Sequence, residues 1–252
     1  MTNEVTTVPD VLDEGRRLSA LLDTAGIRAR LLGGVGVALH AHSAIPLVFQ
    51  RAYGDLDYAV RRSDAVPFRR MLASNGYQVN ERFNAVHGAR RLIFVDAEHE
   101  RQVDVFVGSF RMCHVLDLEK RLNQRGPSLA PADLLLTKLQ IVSINEKDVL
   151  DTLLLVSEHG LGREPEGIDD LRLSEVLGHD WGWYTTVRDN LDKVTMYLTS
   201  LHGIAPDLRD RTFARLVELQ RTVEAVRKSL AWRARALVGR RMSWFDEPEE
   251  VG

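Results

Sequence analysis

Apolar residues Val11, Leu12, Leu18, Leu21 and Leu22 recur at roughly helical spacing, with Asp10 ahead of them as N-cap and Gly26 behind as a stop. Residues 10–24 therefore predict a packing helix. A short apolar run over 27–32 predicts a strand, Gly33-Gly34 interrupts it, and 35–41 predicts a helix. Residues 54–60 read as a second strand and 63–75 as a helix capped by Ser63 and stopped at Asn75-Gly76. Residues 77–83, 90–95 and 102–107 read as successive strands, with 97–100 as the turn between the last two. From Leu116 the pattern turns helical and stays so. Pro131 fits a first helical turn, and Leu134, Leu135, Lys138, Leu139 and Val142 follow at helical spacing. Residues 160–170, polar with Gly and Pro, predict a linker, and about 172–242 a helical tail. The sum is an α+β chain: a mixed sheet flanked by helices over 1–125, then a helical domain over 126–252.

The chemistry concentrates between Leu31 and Val60. On a strand over 54–60, Asp55 and Asp57 project from one face with Cα atoms about 6.5–7 Å apart, a spacing at which two carboxylates can hold a divalent cation. Asp104, in the run RQVDVFVG, sits in another predicted strand and would complete a three-carboxylate set. Magnesium favours such a place because it takes one or two carboxylates together with waters and substrate phosphates. Gly33 and Gly34, between a strand and a helix, let the backbone approach closely with N–H groups aimed at an anion. The expected pairing is a triphosphate seat beside a metal seat.

Gly-Gly opening a helix, then His40, Arg51, Asp55-x-Asp57 and the later Asp104 together resemble the polymerase-beta superfamily of nucleotidyltransferases, and within it the AbiEii-type toxin and related bacterial nucleotidyltransferases. The segments around Lys138 and around Asp148 and Asp151 resemble that group's helical lysine and aspartate motifs, so the likeness spans roughly residues 10 to 160. Two positions depart from the group: Tyr53 stands where Thr is frequent, and Gly34 where many relatives carry Ser.

The resemblance implies a nucleotidyltransferase-like fold and an NTP-dependent enzyme using magnesium or manganese and releasing pyrophosphate. It implies Asp55, Asp57 and Asp104 as metal ligands, with Asp104 also accepting the acceptor's proton. Gly33, Gly34, Arg51 and Lys138 become the nucleotide-binding residues, and Asp148 a further catalytic position. From the residues alone Lys138, on the leucine side of its helix, also reads as a lysine snorkelling over apolar surface. Asp148 and Asp151 share a helix face and are read as partners of Lys138 or Lys147, as groups orienting the nucleotide, or as solvated charges.

With 252 residues, 44% of them hydrophobic, the chain can bury a substantial core, and a net charge of −3 by itself predicts no polyanion partner. Charge is unevenly spread, however. Residues 211–241 hold nine Arg or Lys (Arg211, Arg215, Arg221, Arg227, Lys228, Arg233, Arg235, Arg240, Arg241) against Glu218 and Glu224, a net +7 that leaves −10 for the rest. Such a basic C-terminal helix suits an RNA acceptor such as a tRNA end, or else neutralises an acidic neighbour. Trp232 and Trp244 are read as core or interface anchors.

The lone Cys113 reads as a buried small side chain and suits a cytoplasmic chain. No leader-like opening and no apolar run near 18 residues is present, so neither export nor a membrane span is expected. His40 and His42, two apart on a helix, fall on different faces and make no metal pair, and His40 reads as a packing residue. His87, His99, His114 and His159 suggest no partner. Three functions follow: a toxin-like nucleotidyltransferase acting on RNA or protein, with an antitoxin as a partner; the same chemistry on an aminoglycoside- or lincosamide-type molecule; and a non-catalytic binding module on this scaffold.

Overall fold

A computed structural model of the chain describes residues 7–42, 44–163, 165 and 167–247. It is α+β, with a mixed five-stranded sheet and ten α-helices among the described residues. The chain divides into two compact units, one of Met1–Leu39, Ala52–Phe110 and Asp117–Leu129, the other of His40–Arg51, Arg111–Leu116 and Ala130–Gly252. The chain passes from the first to the second and back through β6 (Ser109–Arg111) and β7 (Val115–Asp117).

In the first unit, α1 (Val11–Thr24) begins as expected at Asp10, whose carboxylate accepts from the N–H groups of Leu12 and Asp13 at 2.9 Å. Then come β1 (Ala29–Leu32), α2 (Gly33–Ala38), β2 (Leu56–Val60), α3 (Ala65–Ala73), β3 (Tyr77–Val79), α4 (Glu81–His87), β4 (Arg91–Asp96) and β5 (Arg101–Val107). The sheet order is β1-β2-β5-β4-β3, and only β2 and β5 run parallel. Alternation sorts the strand residues. Leu31, Leu56, Tyr58, Val60, Leu92, Phe94, Val103, Val105 and Val107 join Leu18 and Leu22 of α1 and Phe68 and Leu72 of α3 in one buried cluster. The intervening positions, Asp57, Arg91, Gln102 and Asp104 among them, belong to the opposite face of the sheet.

Several expected boundaries move, each for a local reason. The strand expected over 77–83 ends at Val79, because Asn80 caps α4 through a 3.1 Å bond from Phe83 N, and Asn84 then clamps the Ile93 backbone through both its N–H and its C=O. Ser63 is not a cap; it lies in a 3-10 turn, Arg62–Asp64, ahead of α3. The glycines are the first turn of α2 rather than a loop before it, and α2 ends at Ala38, short of the expected 41. Asp55 precedes β2 instead of lying in it. The helical pattern expected from Leu116 gives β7, then a 3-10 turn, Arg121–Asn123, and no α-helix until Pro131. The expected linker 160–170 is a closed loop inside the second unit: Leu161 bridges Ile168, and Gly162 and Gly167 approach so closely that a Cβ on Gly167 would lie 2.6 Å from Gly162 Cα. Glu164 and Glu166 of that loop lie outside the described residues.

The second unit is built from α5 (Pro131–Leu139), α6 (Glu146–Glu158), α7 (Asp170–Leu177), α8 (Trp181–Ser200), α9 (Pro206–Ala225) and α10 (Leu230–Val238). Every residue of α5 is buried, and α8 packs against α5, α6, α7, α9 and α10. Among the described residues no helix is long and apolar enough to cross a membrane.

His114 is built into this unit, stacked on Trp183 with centroids 4.9 Å apart and bonded through Nε2 to Thr186 Oγ1 at 2.9 Å. Burial pushes its imidazole down from 6.5 to about 4, against the opposing pull of Asp180 and Asp246. The unfolded chain therefore takes up a proton that the folded chain refuses. Stability should fall as the pH drops from about 6.5 to about 4, by up to roughly 3 kcal/mol. Urea unfolding at pH 7 and pH 4.5 reads this directly, and His114→Gln should flatten the loss over that interval.

Candidate functional site

Register brings the expected residues of the first unit together. Across the sheet, Leu32 of β1 faces Asp57 of β2, Asp57 faces Asp104 of β5, and Asp104 faces Ile93 of β4. Asp57 and Asp104 are thus neighbours on one face, with Cα atoms about 4.8 Å apart as on any adjacent strands. Asp55, exposed just ahead of β2, reaches across to β5, where Gln102 N lies 3.4 Å from its Oδ1.

The glycine turn closes on the same point. Gly33 follows the last residue of β1 with φ +63°, and a Cβ there would fall 1.9 Å from Asp57 Oδ2. Any side chain at Gly33 would therefore be strained and would displace the Asp57 carboxylate. With only six residues, α2 offers an anion the first-turn N–H groups of Gly33 and Gly34, which have no partner within the helix, rather than a developed macrodipole.

Asp104 is buried and held twice. Arg91 Nε donates to its Oδ1 at 2.8 Å, and Gln102 Nε2 to its Oδ2 at 2.8 Å. Three carboxylates from β2, its approach and β5 are the hard oxygen donors that magnesium or manganese takes, so the donor set fits such an ion in type, and two of its members, Asp57 and Asp104, stand in register. Among the described residues, however, no group of three His, Cys, Asp or Glu side chains stands arranged around one point. Both oxygens of Asp104 are already engaged.

The second unit gathers the other expected residues. Asp151, buried in α6, accepts a bidentate pair of bonds from Arg51, Nε to Oδ1 at 2.8 Å and Nη2 to Oδ2 at 2.7 Å. Lys138 of α5 reaches the same Oδ2 at 2.8 Å and Asp148 Oδ1 at 3.0 Å. Burial would lower the Lys138 ammonium, but the carboxylates of Asp151 and Asp148 outweigh it and hold the group above its ordinary value. Burial would likewise raise Asp151, yet Arg51 and Lys138 hold its carboxyl below the usual range. Lys138 is therefore not snorkelling, and Asp151 is no solvated charge: it is the hub of a neutral cluster of two cations and two carboxylates.

Three histidines also converge in this unit. Because α2 stops at Ala38, His40 and His42 are not separated by a helix, and both rings pack on His159, with centroids 5.2 and 4.9 Å away. His42 also meets Glu158 at 3.1 Å. Cys113 is buried as expected.

The basic tail is two helices, α9 and α10, and not one. Arg215 is bonded to the carbonyls of Val156 and Ser157, Arg235 to those of Gly239, Met242 and Ser243, and Arg240 pairs with Asp189. Lys228 lies over Tyr184, 4.9 Å from the ring centroid. Arg211, Arg221, Arg227, Arg233 and Arg241 are exposed and form no ion pair with a described residue. Trp232 packs edge-on against Tyr184 and Trp244 against Trp181, anchoring the tail on α8.

Reading the sequence missed Arg91 and Gln102 as partners of Asp104. Their signal lay in the turn over 97–100: Asp96 faces Arg101 across it, and stepping outward puts Ile93 opposite Asp104 and Arg91 opposite Phe106. No protein-family model matches the chain, and no curated protein sequence matches it.

Proposed function

We propose that this protein is a metal-dependent nucleotidyltransferase that moves a nucleoside monophosphate from an NTP to an acceptor hydroxyl. The observation that carries this reading is the row Gly33, Asp57, Asp104: a positive-φ glycine turn pressed onto one carboxylate whose register partner on the parallel strand is another.

Asp55, Asp57 and Asp104 are the residues that would hold magnesium or manganese, and the ion would neutralise charge on the triphosphate and on the leaving pyrophosphate. Gly33 and Gly34 direct backbone N–H groups at phosphate oxygens. Asp104 accepts the acceptor hydroxyl's proton as the new bond forms to the α-phosphorus and the α–β bridging P–O bond breaks, with pyrophosphate leaving. Arg51 and Lys138 are each bonded to Asp151, and we assign them to holding the helices of the second unit.

RNA is the acceptor class best supported, because five arginines of the tail stay exposed after the other four basic residues are committed to the fold. The test is transfer of label from α-labelled NTPs with magnesium to tRNA, run beside an aminoglycoside and a lincosamide. Labelled tRNA is the expected product, weakened by rising salt and by Arg227→Glu with Arg233→Glu. Labelled drug with unlabelled tRNA would replace RNA by a small acceptor, and no labelled product from any acceptor would remove the enzyme.

A further inference from the structure

Among the carboxylates of the first unit, Asp104 already holds a positive charge. Its partner Arg91 sits two residues along β4 from Ile93, the register partner of Asp104, and the pair is largely shielded, with side chains 18% and 10% exposed. An arginine does not give up its proton in a protein, so this charge is permanent. A divalent cation arriving at Asp104 meets a carboxylate already neutralised.

The contact is nevertheless built to be released. Arg91 engages Asp104 through Nε to one oxygen, whereas Arg51 grips Asp151 with two parallel bonds. The Arg91 guanidinium also has another seat. It lies 5.2 Å from the centroid of Phe106 and 6.0 Å from that of Phe83, on the face of the sheet that carries Asp104, so it keeps aromatic contact if it lets the carboxylate go. Gln102, the other partner, is neutral and competes with a cation far less.

We infer that Arg91 is the built-in competitor for the metal: it occupies the third carboxylate until a divalent cation displaces it, and so sets the cation concentration at which the site becomes complete. This rests on the reading of the site given under Proposed function. It also accounts for a donor set that fits a hard cation in type while its third member points at a guanidinium.

The test is manganese binding by the full chain without nucleotide, followed by electron paramagnetic resonance of the free ion. Wild type is compared with Arg91→Gln, Arg91→Lys and Asp57→Asn. Removing the charge in Arg91→Gln should tighten binding about tenfold, the scale of one charge-assisted bond, while Arg91→Lys stays within about twofold of wild type. Equal or weaker binding by folded Arg91→Gln overturns the inference and leaves the site reading standing. No binding by wild type or Arg91→Gln above the level of Asp57→Asn removes the site reading and the inference together. Should Arg91→Gln fail to fold, wild-type crystals soaked in manganese decide: Arg91 Nε away from Asp104 is the expected result, and an intact Arg91–Asp104 bond beside a bound ion overturns it.

Discussion

Asp57→Ala should lower magnesium-dependent nucleotide transfer by at least about 10³-fold while leaving the fold in place. Asp57 is the carboxylate shared by every element of the site: the glycine turn closes on its Oδ2, β1 faces it from one side and Asp104 from the other. On the proposed reading Asp57 is the central one of three ligands to an ion that neutralises the triphosphate and lowers the barrier by several kcal/mol, and its removal would forfeit most of that. The fold does not depend on Asp57 in the same way, because its neighbours Leu56 and Tyr58 carry the apolar face of β2 and belong to the buried cluster, whereas Asp57 does not. Asp104→Ala should approach the same loss. Asp55→Ala should lose less, since Asp55 is exposed and stands ahead of the strand. Incorporation of label by Asp57→Ala at the wild-type rate, with an unchanged circular dichroism spectrum, would exclude the proposed chemistry.

How much of this was legible in the sequence depended on how local each determinant is. Asp10 and Gly26 bound α1 as expected, because a cap is made within three residues of the chain. The turn at 97–100 was equally local, and it fixes the β4–β5 register, so Arg91 could have been placed diagonally to Asp104 by counting outward from it. The pairing of Asp57 with Asp104 could only be expected, since it needs β2 and β5 to lie side by side although α3, β3, α4 and β4 intervene in the chain. The error at 77–83 has the opposite cause. Asn80 and Asn84 draw the chain into a helix through bonds to Phe83 and to Ile93, and the second of these lies on a strand that the pattern predicts but does not place beside residues 80–84. In the second unit, the i,i+3 spacing of Asp148 and Asp151 was visible, but which of them is central was not. That rank is set by Arg51, a hundred residues away in the chain, arriving bidentate on Asp151.

Asp151→Ala should cost about 3–5 kcal/mol of folding stability, the scale for removing one partner from a buried ion pair. Arg51 would lose its two bonds to Asp151, and Lys138 would keep only Asp148 at 3.0 Å, so two cations would lose the one buried carboxylate they share. Asp148→Ala, by contrast, removes the more exposed carboxylate and a single bond and should cost only about 1 kcal/mol. Urea unfolding of the two variants measures the difference, and comparable losses would show that Asp151 is not the hub. The pH dependence gives a second reading of the same cluster. Because the folded Asp151 carboxyl is held below its unfolded value, its contribution is present above about pH 3.9 and is lost as the pH falls through the folded value. Because Lys138 is held above its ordinary value of 10.5, its contribution is present below that pH and is lost as the pH rises through the folded value. Asp151→Asn should therefore flatten the acid limb of the stability profile below pH 4 while leaving the interval between pH 6.5 and 4, governed by His114, as it is in the wild type.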